Sequence, residues 1–173
     1  FHPTTLEKNK SKYQVSNLLS ALDKSKDVIK IFTSSNFDHE NKIIKRKILN
    51  FTYKNKNAFF YSSLGHSSYV SLMKISSLVI GNSSSGVLET PSLGIPTVNI
   101  GNRQKGRIIS KNIVNSKYEK NHIIKNIKKA LILDKKKLSK IGSPFYKINT
   151  PKNIAKKIIS FRCILKKDFK DLI

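Results

Sequence analysis

Residues 78–107 read LVIGNSSSGVLETPSLGIPTVNIGNRQKGR, and this stretch decides the fold. LVIG at 78–81 is a short β-branched and apolar run closed by Gly81-Asn82, which predicts a buried strand. Ser83-Ser84-Ser85-Gly86 then leads into a short helix expected over 84–93. Pro91 and Pro96 bracket Gly94, so the helix stops sharply there and TVNI at 97–100 resumes as a second strand. Strand, polar turn, helix and strand in so few residues predict parallel strands joined by a helix on the sheet face.

The pattern continues outward in both directions. A helix is expected over 10–22, a strand over 28–33 (VIKIFT), and a helix over 38–52 with Asp38 as its N-cap. A strand follows over 58–61 and a helix over 67–76. Beyond Arg107 the chain turns lysine-rich; the next regular element is an amphipathic helix over 118–133, and Thr150-Pro151 opens a last one. The order β-α-β-α-β-α-β predicts an α/β, Rossmann-like open parallel sheet with helices on both faces. No repeat or long Pro/Gly linker interrupts it, so residues 1–173 read as one domain, with 150–173 a terminal helical segment. Ligands of such sheets sit beyond the carboxyl ends of the strands. That rule selects the loops at 33–37, 62–66, 81–85 and 101–107.

Composition narrows the function classes. The chain of 173 residues is 38% hydrophobic and 25% charged, enough apolar content for a core and too little for a membrane protein. No apolar run approaches the roughly 20 residues a bilayer needs. A single cysteine, Cys163, excludes an internal disulfide, and the four histidines (His2, His39, His66, His122) do not fall at metal-ligand spacing, so no metal is expected. The opening Phe1-His2-Pro3-Thr4-Thr5 is not a signal peptide, and a reducing, cytoplasmic setting is the expectation. It also begins, without Met, at what looks like the end of a strand, which reads as a fragment of a longer protein.

A net charge of +24 ordinarily points to nucleic acid. Here thirty of the basic residues are Lys and four are Arg, with Ile and Asn also abundant, as an A/T-rich coding sequence produces. Readers of phosphates and bases favour the arginine fork and interleaved aromatics. The lysines instead cover the polar helix faces, and solvated surface is the better reading.

The loops at 81–85 and 101–107 carry the chemistry. Backbone N–H groups and hydroxyls of Ser83 and Ser84 at a helix start make a ready anion site, and Glu89, about one turn on, suits ligand hydroxyls such as those of a ribose. An ordinary N-cap is the competing reading, although Ser85 and Glu89 are not at capping-box spacing. Arg103 follows the strand 97–100 and would clamp a diphosphate, unless it is an exposed surface residue.

The stretch 78–107 closely resembles the carboxyl-terminal signature of the UDP-N-acetylglucosamine 2-epimerases, in particular the hydrolysing, sialic-acid-pathway branch. FHPTT at 1–5, TSSNFD at 33–38 and the Leu64-Gly65-His66 turn fit that family in order; the lysine-rich remainder matches in outline. The resemblance implies two Rossmann-like domains in the glycosyltransferase-B arrangement, with this chain the UDP-binding carboxyl-terminal half. Carried over by position, His2 is the strand-end histidine near the diphosphate and the reacting sugar, a catalytic or ligand residue, unless it simply hydrogen-bonds backbone. Asn36 sits near the nucleotide, Ser83 and Ser84 bind the diphosphate, Glu89 the ribose, and Arg103 is the basic residue of the following loop. Ser85 departs from close relatives and is left outside the ligand contacts.

The implied reaction eliminates UDP across C1–C2 and adds water, releasing N-acetylmannosamine with C2 inverted and needing no cofactor. The carboxylates that serve as acid and base belong, in the family, to the amino-terminal domain. Expected partners are therefore a UDP-sugar and that missing amino-terminal domain; a homo-oligomer stays open. A different glycosyltransferase-B nucleotide-sugar enzyme and a basic nucleic-acid module are the alternatives.

Overall fold

The computed structural model describes residues 1–35 and 40–161; Asn36, Asp38, His39 and Cys163 lie outside the described residues. Helix α1 (Ser11–Leu22) is followed by β1 (Lys30–Thr33), α2 (Asn41–Lys54), β2 (Ala58–Tyr61) and α3 (Gly65–Ile75). Then come β3 (Val79–Gly81), α4 (Ser85–Leu88), α5 (Thr90–Leu93) and β4 (Thr97–Ile100). The last elements are β5 (Ile113–Ser116), α6 (Lys120–Leu131), α7 (Lys135–Ile141) and α8 (Thr150–Ser160).

Among the described residues every strand pairing is parallel, in two groups ordered β1-β2 and β3-β4-β5. Val98 and Ile100 of β4 pack, fully buried, against Leu18 and Ala21 of α1 and Ile123, Ile127 and Ala130 of α6. A second cluster joins Val15 and Leu19 of α1 to Ile44 and Ile48 of α2. Helix α1 thus ties the two sheets together, and Phe1 packs against both clusters. Phe1 also lines a small cavity with Thr33 of β1 and Val79–Gly81 of β3, so the amino-terminal residues fill the seam between the sheets. Helix α4 covers the opposite face of β4. A Cβ on Gly86 would stand 3.0 Å from Cγ2 of Thr97, so the absence of a side chain there lets the helix lie close on the strand.

The architecture is the expected α/β one, with parallel strands flanked by helices on both faces. Two details differ. The helix expected over 84–93 is two short helices that part at Glu89. A fifth strand, β5, and α7 lie in the lysine-rich part, where Ile113 and Ser116 are buried by pairing with β4. No residue of α8 is buried. Among the described residues no helix is long and apolar enough to cross a membrane.

Candidate functional site

Strand β3 delivers the site. Gly81 closes it with φ 150°, a value residues with a Cβ rarely adopt, and the chain leaves the sheet abruptly. The next residue, Asn82, is fully buried. The His2 backbone N–H donates to Asn82 Oδ1 (2.7 Å), and Asn82 Nδ2 donates to the His2 carbonyl (2.8 Å). This two-bond pairing copies a rung of a β-ladder with a side chain. The backbone carbonyl of Asn82 accepts from Arg103 Nη1 (3.1 Å) and Gln104 Nε2 (2.8 Å). One residue therefore joins the amino-terminal segment, the end of β3 and the loop after β4.

Ser83 and Ser84 follow, both partly exposed. The Gly86 and Val87 N–H groups are occupied by the carbonyls of Ser83 (3.2 Å) and Ser84 (2.9 Å). Because α4 spans only four residues, little aligned dipole stands behind them. Any attraction for an anion would rest instead on the serine hydroxyls and Arg103. Ser85 is buried; its Oγ donates to Ser83 Oγ (3.1 Å) and lies 2.8 Å from Tyr69 Oη. It ties Ser83 to Tyr69. Glu89 sits at the break between α4 and α5, not one turn along a continuous helix. Its Oε2 is buried without a hydrogen-bond partner among the described residues. A buried acceptor left so is costly, and a ligand hydroxyl would satisfy it.

His2 is 9% exposed, and its pKa is pushed down to about 4, first by burial, then by the neighbouring amino terminus and by Arg103. At neutral pH it is an uncharged imidazole, suited to hydrogen bonding rather than to giving up a proton from imidazolium. A negatively charged ligand would pull its pKa back up.

Two hollows flank this arrangement. A cavity of about 70 Å³ is lined by His2, Thr33, Tyr69, Ser83, Ser85 and Asn99 among others, which is room for waters and not for a nucleotide. A groove of about 610 Å³ runs between residues 4–7 and Asn102, Arg103, Lys105 and Gly106, in the size range of small-molecule sites. His2 and Ser83 thus line the cavity and Arg103 the groove, while Ser84 and Glu89 line neither. Asn36 lies outside the described residues. Tyr69, Asn82 and Gln104 were not singled out from sequence. Asn82 stood within the decisive motif, but its partners are far away in the chain. Among the described residues no group of three or more His, Cys, Asp or Glu is placed to hold a metal.

Comparison with known proteins adds the family. The sequence model of the family described as UDP-N-acetylglucosamine 2-epimerase matches residues 1–159. A GDP/UDP-N,N'-diacetylbacillosamine 2-epimerase (hydrolyzing) of Campylobacter jejuni is 41% identical over 117 residues, covering 67% of this chain and 30% of that protein. The polysialic acid biosynthesis protein P7 of Escherichia coli is 37% identical over 175 residues, covering 99% of this chain and 44% of that one. Among solved structures, UDP-GlcNAc 2-epimerase from Neisseria meningitidis bound to UDP-GlcNAc superposes with a TM-score of 0.59 at 17% identity. It shares the fold over 87% of this chain and 41% of its own. The chain spans less than half the length of these relatives. With its decisive motif folded as β3–α4–α5–β4 and nearly its whole length matched, the chain belongs to the UDP-N-acetylglucosamine 2-epimerase family.

Proposed function

We propose that this chain is the nucleotide-binding part of a hydrolysing 2-epimerase, taking a UDP-linked N-acetylamino sugar and releasing UDP and the C2-inverted free sugar. The observation that carries the reading is the convergence on Asn82 of His2, Arg103 and Gln104, beside Ser83, at the carboxyl ends of β3 and β4. Elimination at C1–C2 puts growing negative charge on the departing diphosphate. Arg103 and the Ser83 and Ser84 hydroxyls are donors suited to that charge, and donors held ready for developing charge lower a barrier most. Neutral His2 hydrogen-bonds the leaving phosphate and becomes a better proton carrier as the anion raises its pKa. Glu89 takes the ribose hydroxyls through its unpartnered Oε2.

The acid and base that act at C2 come from an amino-terminal domain, so these 173 residues bind UDP and turn over nothing alone. Helix α8 packs against that domain, which accounts for its exposed Ile154, Ile158 and Ile159. Calorimetric titration of UDP at fixed salt tests the reading. Arg103→Ala lowers affinity roughly tenfold or more and Ser84→Ala several-fold, with the fold intact. Equal affinity in all three proteins, or binding that vanishes with salt and ignores UDP, overturns it. The relative in Campylobacter jejuni supports a second reading, in which the sugar is diacetamido-substituted and the base is guanine or uracil; in parallel GDP and UDP titrations, a preference for GDP selects this second reading.

A further inference from the structure

We propose that Asn82 is the positioning residue of this nucleotide site, its side chain setting the place of His2 and its carbonyl the place of Arg103; the inference rests on the UDP-binding reading above.

The amide is matched to two opposite demands. It accepts from the His2 N–H through Oδ1 and donates to the His2 carbonyl through Nδ2, a pairing that Asp, Leu or Ala cannot reproduce. The pair is fully buried, where little water competes for either bond. The carbonyl of the same residue takes one N–H from Arg103 and one from Gln104, filling both its lone pairs. Arg103 keeps its remaining donors for a ligand while its position is fixed beforehand. Gln104, 2% exposed, anchors the loop from below. Ligand groups that are already in place need not be ordered at the moment of binding, and that saving appears as affinity.

The two attachments are separable, because substitution of the side chain cuts the tie to His2 and leaves the carbonyl that holds Arg103. UDP affinities of a double-mutant cycle on the 173-residue chain are therefore the test. Asn82→Ala and His2→Ala each weaken UDP roughly tenfold, and the double variant is no weaker than the singles within about twofold. Asn82→Ala combined with Arg103→Ala multiplies the two losses. Unchanged affinity in a natively folded Asn82→Ala chain overturns the proposal, and so does a His2/Asn82 double variant that loses the product of both effects.

Should Asn82→Ala fail to fold, Asn82→Asp keeps the acceptor and removes the donor. Its UDP affinity then falls and the His2 imidazole titrates at higher pH by NMR; no change in either quantity overturns the proposal. A parent chain that does not bind UDP overturns the nucleotide reading as well, an outcome distinct from a binding parent whose variants show no His2–Asn82 coupling.

Discussion

The two faces of β4 are built on opposite rules. Val98 and Ile100 look into an apolar layer shared with α1 and α6, where any well-filled packing of the same volume would serve. Thr97 and Asn99, one residue out of step, look the other way into a buried polar layer under α4 and α5. There Thr97 Oγ1 donates to Thr90 Oγ1 (2.8 Å), and Asn112 Nδ2 donates to Thr90 Oγ1 (3.0 Å) and to the Ile95 carbonyl (2.8 Å). Asn99 Nδ2 donates to Asn115 Oδ1 (2.8 Å), while Asn99 Oδ1, beside the small cavity, has no partner among the described residues. The apolar face stabilises without specifying much. The polar face fixes one geometry, since each buried bond requires its own partner, and it is the face from which Ser83, Ser85 and Glu89 rise.

The comparison breaks most visibly at Ile100. Ile100→Ala removes a fully buried side chain and costs about 2–5 kcal/mol in denaturant unfolding, while UDP affinity of the folded chain stays within twofold. A large loss of affinity without loss of stability there would mean that the two faces are not separate.

Acid sharpens the contrast by acting at His2. His2 has a folded pKa of about 4 against 6.5 when unfolded, so below 6.5 the unfolded chain binds the proton first. Its contribution, on the order of 2–3 kcal/mol, is complete above about pH 6.5 and is lost as pH falls toward about 4. His2→Ala should flatten the pH 4–6.5 limb of a stability profile.

The smallest effect is expected where neither rule operates. Ile158 on α8 is 69% exposed, and Ile158→Ser in this chain changes unfolding free energy by less than about 0.5 kcal/mol. A loss of several kcal/mol would show that α8 packs on this domain.

Much of this was legible in the sequence, for a local reason. Periodicity and β-branched runs report which face of a segment is buried, and so α1, α2, α6 and the strands β1 to β4 emerge near their true bounds. The rule that ligands lie past the carboxyl ends of parallel strands then led to the loops at 81–85 and 101–107. Strand β5 did not emerge, because IVNS at 113–116 amid polar and lysine-rich sequence is a strand only by virtue of pairing with β4. The break at Glu89 was legible in principle but not read: Pro91 has no N–H to bond back to the α4 turn.

By itself, then, the chain's order of apolar and polar residues determined an α/β fold and the end of the sheet where a ligand belongs. Only the tertiary structure decided that Asn82 grips a residue 80 positions away, that His2 is uncharged, and that Ser85 serves Ser83. Hydrogen-bond partners and desolvation depend on which distant segments the fold brings together, and no local pattern carries that information.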